Sequence, residues 1–397
     1  MERIAFIFPD LLPMPATKGG ATETLIQHLI DDNESRGEFQ FDIYCPYDPD
    51  AEKLTANYRH TRFFYIKTPT SMLAWIKFQL FRIKRKLSRS YVPESYLLEL
   101  LAILKKQHYD RIIVESVFWF IPFIKQAVTA PVYLHLHFDA ISTRHPDIER
   151  SLNCCDGVIC VSRFIEQTLL NFSPNIQTRV LPNVVDIAEF CNIGRCEKAT
   201  ALRQQLGLSE DDRIIIYTGR LMREKGVMEL VRAFREAHDV MPELKLVLIG
   251  SAGYGETIYD NFYHQLMAEI GNMHNNSIFM TGYIAHEQIP NWFAVSDIAV
   301  MPTTEVEEAA GLAALEALAA GCYLVTSDSG AIPEIATCND SIIVPRGEGF
   351  TKRLSNAILH WARCTLKLSP THGQLHVAAN HNANYYYDNF IKTIKSL

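Results

Sequence analysis

The stretch "RIIIYTGRLMREKGVMEL", Arg213 to Leu230, contains a strand signal, a turn and the start of a helix. Its apolar run before Gly219 is uninterrupted, which is typical of a strand buried on both faces of a parallel sheet. Gly219 allows the backbone to turn tightly, and a helical pattern begins at Val227. The stretch therefore predicts the strand–loop–helix unit of an α/β fold.

The same alternation of strand-like runs and helical patterns continues along the whole chain. Helical patterns cover 22–30, 95–106 and 163–170 in the first half. The strand-like runs are "IAFIF", "FDIYC", "RFFYI", "RIIVE", "VYLHLH" and "GVICVS", then "RIIIYTG", "LKLVLIG", "SIFMTG", "IAVMP", "YLVTS" and "SIIVP". This order predicts an α/β protein built from doubly wound, Rossmann-like sheets.

The domain organisation follows from the length and from one polar stretch, "DIAEFCNIGRCEKATA", after which the pattern starts again. A chain of 397 residues is longer than one core usually holds. We predict a first domain over 1–190, a second over 191–375, and a C-terminal helix within 376–397 that packs back toward the first domain. Two such sheets would face each other across a cleft, with ligands beyond the carboxyl ends of the strands.

Composition excludes several classes of protein. The net charge of -7 argues against a general nucleic-acid binder. The N-terminus lacks the pattern of a signal peptide, and no apolar run is long enough to span a membrane, so we expect a cytoplasmic protein. The 9 cysteines are scattered without a C-x-x-C pair, which argues against a disulfide framework or a zinc knuckle.

Charged residues follow the predicted strands of the second half. Arg220 and Lys225 come after "RIIIYTG", where both can bind one phosphate, although a solvated basic loop is the alternative. In "EEAAGLAALEALAAG", 307–321, a helix is predicted to begin between 309 and 311, and its free amides can bind an anion. Glu316 lies in this apolar helix, where an unpaired carboxylate is costly. Three interpretations stay open: an accidental buried charge, a salt-bridge partner, or a residue that binds ligand hydroxyls such as those of a ribose.

Two segments of the first half also carry candidate residues. In "HLHFD", residues two apart share one face of a strand, so His135 and His137 could bind a metal with Asp139. Alternatively one histidine is catalytic and the other packs in the core, or both are structural. In "PATKGGATETLIQHL", Gly19 and Gly20 permit a close approach of the backbone to a phosphate or sugar, or simply form a turn.

Together these segments resemble family 4 of the retaining glycosyltransferases, which have the GT-B fold of two Rossmann-like domains. Val184 replaces the family's usual glycine, Ala310 replaces an aromatic residue, and "EVEE", 305–308, resembles transferases of lipopolysaccharide cores or related surface glycans. The matching motifs, in family order, are "KGGATETL", "CCDGVICVSRFIEQTLL", "VLPNVVDIAEF", "GRLMREKGV", the E-x7-E pair Glu308 and Glu316, and "SDSGAIPEI".

The resemblance implies a role for each matching residue. In the catalytic pair, His137 and Glu308 would flank the transferred sugar, with His135 as the alternative to His137. The implied donor-binding residues are Arg220 and Lys225 at the diphosphate, Gly20 at its β-phosphate, Gly19 in the same glycine loop, Gly311 and Leu312 through their amides, Glu316 at the ribose, and Ile284 against the base.

The resemblance thus implies a retaining transfer of a hexose or N-acetylhexosamine from a nucleotide-sugar donor, most often a UDP-sugar, to a saccharide, lipid-linked or surface-glycan acceptor. No metal or other cofactor is expected, because side chains and amides would neutralise the diphosphate. Two alternatives stay open: a metal-dependent hydrolase using His135, His137 and Asp139, or a non-catalytic nucleotide-sugar-binding protein.

The segment 71–93 contains six Lys or Arg residues and no acidic residue, with Trp75, Phe78 and Phe81 between them. Such a basic aromatic segment predicts contact with an anionic membrane surface, which would place the protein peripherally on the inner face of the plasma membrane. The alternative is an ordinary helix whose aromatic face packs in the first domain.

Overall fold

The computed structural model of the chain describes residues 1–67, 91, 93–191, 197–253, 257–364 and 371–397. These residues form two compact units. The first unit contains Met1–Pro182 and Tyr386–Leu397, and the second contains Asn183–Tyr385. Both units are α/β, as the alternation of strand and helix patterns predicts. The segment 71–93 lies outside the described residues apart from Tyr91 and Pro93, so the predicted membrane contact stays a prediction.

The first unit is built on a parallel sheet of seven strands. The strands are β1 (Glu2–Ile7), β2 (Phe39–Pro46), β3 (Thr61–Ile66), β4 (Arg111–Glu115), β5 (Val132–Leu136), β6 (Gly157–Cys160) and β7 (Thr178–Val180). Their order is β3-β2-β1-β4-β5-β6-β7. The helices are α1 (Ala21–Arg36), α2 (Pro49–Leu54), α3 (Ser95–Leu104), α4 (Ile121–Ala127), α5 (Ile148–Leu152), α6 (Arg163–Phe172) and the last helix of the chain, α16 (Tyr386–Ser396).

The second unit contains a parallel sheet of six strands. The strands are β8 (Arg213–Thr218), β9 (Leu244–Ile249), β10 (Ile278–Gly282), β11 (Ile298–Met301), β12 (Tyr323–Ser327) and β13 (Ser341–Val344). Their order is β10-β9-β8-β11-β12-β13. The helices are α7 (Ile187–Cys191), α8 (Glu197–Gln205), α9 (Val227–His238), α10 (Asn261–Ile270), α11 (Ile289–Ala294), α12 (Leu312–Ala319), α13 (Ile332–Ile335), α14 (Phe350–Ala362) and α15 (His372–Asn380).

The last helix, α16, packs within the first unit. The ring of Phe390 stacks on Phe6 of β1 at 5.9 Å between centroids, and both side chains are fully buried. The Tyr387 hydroxyl donates a hydrogen bond of 3.0 Å to the Asn33 side chain on α1. Aromatic stacking and a satisfied buried hydroxyl hold the helix against α1 and the sheet.

The direction of the strand order reverses at one place in each sheet, between β1 and β4 in the first and between β8 and β11 in the second. Loops that follow neighbouring strands on the two sides of such a switch point leave a crevice at the carboxyl edge of the sheet. The site residues predicted from the sequence lie at or after the ends of β1 and β5 in the first unit and of β8, β10 and β11 in the second. Among the described residues, no helix is both long enough and apolar enough to cross a membrane.

Candidate active site

The loop after β8 is fixed against the loop after β11. The backbone oxygen of Glu224 accepts hydrogen bonds from the amides of Thr304 at 3.0 Å and Glu305 at 3.2 Å. Gly226 has φ 70°, and a side chain there would collide with the Pro302 carbonyl oxygen, so only glycine allows this approach. The short 3₁₀ turn Arg223–Lys225 is thereby held beside the residues that follow β11.

Lys225 and Glu308, which are far apart in sequence, are in direct contact. Lys225 Nζ donates to Glu308 Oε1 at 2.5 Å, and the Thr303 hydroxyl donates to the same oxygen at 2.8 Å. Each side chain of the ion pair is 23% exposed. The ion pair is therefore partly exposed, so a ligand can reach both charges.

The backbone of Glu308 is held from a third loop, the one after β12. Its amide donates to the Ser329 hydroxyl at 3.0 Å, and its carbonyl oxygen accepts from the Ala331 amide at 2.7 Å. Gly330 lies so close to Glu308 that a side chain would collide with the Glu308 backbone. Glu308 is thus positioned by groups that follow three neighbouring strands, which is the rigidity that a binding or catalytic carboxylate needs.

Helix α12 begins at Leu312, one residue after the predicted range of 309–311, because Gly311 is the N-cap rather than the first helical residue. Gly311 has φ 58° and no side chain to cap the first-turn amides. A helix N-terminus of this kind carries partial positive charge and unpaired donors, which suits a phosphate. Leu312 is half-buried and packs against the core of the unit.

Glu316, on the second turn of α12, forms a hydrogen bond with a histidine that the sequence did not indicate. His286 Nε2 donates to Glu316 Oε1 at 3.0 Å. The Glu316 side chain is 13% exposed and that of His286 is 42% exposed. This hydrogen bond raises the pKa of His286. Ile284, in the same loop as His286, is half-buried against the core. Glu316 is therefore paired with His286, as the salt-bridge interpretation expects.

In the first unit, the turn between β1 and α1 depends on its two glycines. Gly19 has φ 68° and Gly20 has φ 103°, both of which disfavour other residues. A side chain at Gly20 would collide with the Glu23 carboxylate. Glu23 is buried, and burial raises its pKa to about 7. The sequence analysis missed Glu23; the available signal was an acid in the first turn of a helix directly after a glycine pair.

His137 lies beside a buried carboxylate that the sequence analysis also missed, Glu115 at the end of β4. Glu115 Oε2 is 2.7 Å from His137 Nε2 and 3.1 Å from His135 Nδ1. Glu115 and His135 are fully buried. Burial acts to raise the pKa of Glu115, but attraction to the two histidines and the hydrogen bond from His137 outweigh it and lower the pKa to about 2.

The protonation state of His137 follows from the same contacts. Burial and the nearby His135 lower the pKa of His137 to about 4, so its imidazole is neutral at pH 7. An ionised carboxylate only accepts hydrogen bonds. Nε2 of His137 must therefore carry the proton that it shares with Glu115, which leaves Nδ1 as the acceptor.

Asp139 does not join the two histidines, which corrects the predicted metal-binding trio. Its carboxylate accepts hydrogen bonds from the amides of Ile141 at 3.1 Å and Ser142 at 3.0 Å in its own turn. In the described part of the chain, Glu115, His135 and His137 instead form the group whose possible ligand atoms lie within 4.8 Å of one another. The physical reason is that β5 ends at Leu136, so the alternation of a strand no longer holds at Asp139.

Two family models match the chain, one for each half. The model described as "Glycosyltransferase Family 4" matches residues 22–189, and the model "Glycosyl transferases group 1" matches residues 198–364. The two matches together include the predicted residues from His137 to Glu316, while Gly19 and Gly20 precede them.

Two curated relatives illustrate the similarity in sequence. The chain is 26% identical over 206 residues to a lipopolysaccharide 1,2-N-acetylglucosaminetransferase of Salmonella typhimurium, and the match covers 52% of this chain and 51% of that protein. The chain therefore matches about half the length of that relative. It is also 26% identical over 345 residues to spore coat protein SA of Bacillus subtilis, covering 84% and 82% of the two proteins.

Solved structures share the whole fold at low identity. The Anabaena protein HepE in complex with UDP and glucose superposes with a TM-score of 0.76 and 18% identity, covering 100% of both chains. The lipopolysaccharide outer core galactosyltransferase WaaB, in its apo form, superposes with a TM-score of 0.66 and 16% identity, covering 99% of both chains. At these identities the likeness establishes the GT-B architecture alone.

Proposed function

Because the chain belongs to the glycosyltransferases of group 1 and family 4, with the GT-B fold, we propose that it transfers a hexose or N-acetylhexosamine from a nucleotide-sugar donor and retains the configuration of the anomeric carbon. The acceptor is a saccharide, a lipid-linked glycan or a surface glycan. The observation that carries the proposal is the contact of Lys225 with Glu308 beside the N-terminus of α12.

The donor diphosphate is bound by positive groups of the second unit. Arg220 follows β8 directly, Lys225 ends the next turn, and the uncapped amides of α12 add the partial charge of a helix N-terminus. Negative charge grows on the diphosphate as its bond to the sugar breaks, so fixed positive groups lower the barrier. Glu316 accepts the ribose hydroxyls, and Ile284 packs on the base.

The reaction proceeds by attack of the acceptor hydroxyl on the same face that the diphosphate leaves. The bond between the anomeric carbon and the acceptor oxygen forms while the bond to the phosphate oxygen breaks, and the leaving phosphate takes the hydroxyl proton. We expect Glu308 of the second unit to contact hydroxyls of the transferred sugar. His137 of the first unit keeps the catalytic role that the family resemblance implies, as a neutral hydrogen-bonding group whose Nε2 proton is already shared with Glu115.

The relatives support one candidate class of donor and one candidate class of acceptor. HepE was solved in complex with UDP and with UDP-glucose, which supports a uridine nucleotide as the first candidate donor. The Salmonella relative acts on lipopolysaccharide, which supports a surface-glycan acceptor. Contact of the segment 71–93 with the inner face of the membrane would bring a lipid-linked acceptor near.

We expect donor binding and transfer without a metal ion or other cofactor, because side chains and amides supply the positive charge. A thermal-shift screen with UDP-, GDP- and ADP-sugars in EDTA tests the donor, and turnover of the stabilising donor tests the function. A stabilised protein that never turns over its donor with any acceptor would instead be a non-catalytic nucleotide-sugar-binding protein.

One observation favours a second candidate, a metal-dependent hydrolase. Glu115 Oε1 and both ring nitrogens of His135 are buried without a hydrogen-bond partner in the described part of the chain. A divalent cation could satisfy them together with His137. Stoichiometric zinc or manganese, whose removal abolishes turnover, would support this candidate; full activity after treatment with EDTA would exclude it.

A further inference from the structure

We propose that His286 is a positioning residue for the ribose of the donor, because it orients the Glu316 carboxylate and makes donor affinity depend on pH. The inference rests on the proposed function through the assignment of Glu316 to the ribose. It goes further by adding a second residue to the ribose site and a regulation of that site by protons.

The contact itself has the geometry of a built interaction. His286 Nε2 donates to Glu316 Oε1 at 3.0 Å, and the acceptor carboxylate is largely buried on α12. The donor lies in the 3₁₀ turn His286–Gln288, which follows β10 and leads directly into α11. The two residues therefore come from separate elements of one unit, each fixed by its own backbone.

The hydrogen bond leaves capacity for a ligand. An ionised carboxylate has two oxygens and about four lone-pair positions. His286 uses one position on Oε1, so Oε2 and the second position on Oε1 remain able to accept two neighbouring hydroxyls. A ribose offers two such hydroxyls on adjacent carbons, and a carboxylate already held in one orientation binds them without first being ordered.

The surroundings of His286 favour its charged form. Three carboxylates act on it: Glu316 on α12, Glu189 on α7 and Glu287 in its own turn. The hydrogen bond to Glu316 is the largest contribution that raises the pKa of His286, and burial opposes it. Above that raised pKa the imidazole is neutral, and its hydrogen bond to the carboxylate becomes weaker. Positioning of Glu316 is therefore strongest at low pH and fades as the pH rises.

Two substitutions separate the hydrogen bond from the charge. His286→Gln keeps an amide nitrogen that can donate to Glu316 but cannot become charged, whereas His286→Ala removes the donor. The matched control is His264→Gln, since His264 is an exposed histidine on α10. Thermal unfolding of all three variants verifies that they are folded.

The test is a calorimetric titration of the three variants and the parent with UDP, GDP and ADP at pH 6, 7.5 and 9. For the nucleotide that binds the parent, we expect His286→Ala to weaken affinity about tenfold at pH 6. The ratio of parent to His286→Gln affinity should fall from about fivefold at pH 6 to about one at pH 9. Because both proteins bind the same nucleotide, protonation of its phosphate cancels in this ratio. The turnover number of the His286 variants at saturating donor should stay within about twofold of that of the parent.

A nucleoside diphosphate that lacks both ribose hydroxyls provides the decisive arm. If His286 acts through Glu316 and the ribose, His286→Ala should leave affinity for the dideoxy nucleotide unchanged. An equal loss for both nucleotides, or a ratio that does not vary with pH, would reduce His286 to a structural residue and overturn the inference. If the parent binds none of the three nucleotides, the proposed donor site itself is wrong. If the parent binds a nucleotide and both His286 variants bind it with the same affinity, the donor site stands and only the inference about His286 fails.

Discussion

Replacing Glu308 by Gln should strengthen the binding of a nucleoside diphosphate while it slows transfer. Lys225 Nζ donates a hydrogen bond to the Glu308 carboxylate at 2.5 Å. The proposed donor site needs the same ammonium group for the diphosphate. Removing the negative charge of Glu308 therefore releases Lys225 for the phosphate and also removes a repulsive charge from its surroundings.

The size of the effect follows from the exposure of the pair. Each side chain is 23% exposed, so solvent screens the attraction, and its contribution lies near the upper end of exposed ion pairs, about 1 kcal/mol. That corresponds to roughly fivefold tighter binding of UDP or of the nucleotide that the protein prefers. Loss of a charged acceptor for the sugar hydroxyls should cost about 1.5–3 kcal/mol in the transition state and slow transfer by roughly 10- to 150-fold.

Calorimetry with the nucleoside diphosphate and a steady-state transfer assay measure the two effects on the same preparations. Glu305→Gln is the matched control, because it makes the same change of charge at an exposed side chain nearby. We expect the control to behave like the parent in both assays. Unchanged or weaker nucleotide binding by Glu308→Gln would refute the proposed sharing of Lys225 between Glu308 and the donor. Transfer at the parent rate would refute the proposed contact of Glu308 with the transferred sugar.

Three further predictions test other parts of the molecule. Arg220→Ala should lower the turnover number more than donor affinity, since charge on the diphosphate grows in the transition state; unchanged kinetics would place the site elsewhere. The pKa of His137 is lowered to about 4 in the folded protein. As the pH falls, the imidazole therefore becomes protonated in the unfolded chain before it does in the folded protein, and the free energy of unfolding decreases below about pH 6.5. Between pH 7 and pH 5, urea unfolding of the first unit should show that the parent loses about 2 kcal/mol more stability than a His137→Asn variant, because the raised pKa of Glu23 acts in the opposite direction equally in both proteins; the same change in both would contradict this origin. Finally, the segment 71–93 should bind anionic vesicles at low salt and less at high salt, where exposed charges are screened. Equal co-sedimentation of the parent and a variant with Ser at four basic positions would contradict the predicted membrane contact; the positions are Arg82, Lys84, Arg85 and Lys86.

The α/β class was predictable because uninterrupted apolar runs identify buried parallel strands without any knowledge of their partners. One strand of the first unit, β7 (Thr178–Val180), was not predicted. Its three residues are only half-buried and form too short an apolar run to be recognised. The start of α12 was also predictable, since Gly311 and the apolar pattern mark it locally.

The contacts within the candidate site were less predictable because they depend on the register of strands and loops. Glu115 is one acid at the end of "RIIVE", and only its pairing opposite His135 across β4 and β5 brings it to the histidines. His286 is a single histidine in a loop, with no local pattern that links it to Glu316. Lys225 and Glu308 meet because Gly226 allows two loops to approach, which sequence spacing does not encode.

The most direct test of the proposed donor site is a calorimetric titration of nucleoside diphosphates into the parent and into Glu316→Ala, both in EDTA. We predict that the parent binds one nucleotide per chain without a metal ion. Loss of the ribose acceptor should weaken that binding by about 1.5–3 kcal/mol, or roughly 10- to 150-fold. Equal affinity of the two proteins, or no binding of UDP, GDP or ADP by the parent, would contradict a donor site built on Arg220, Lys225 and Glu316.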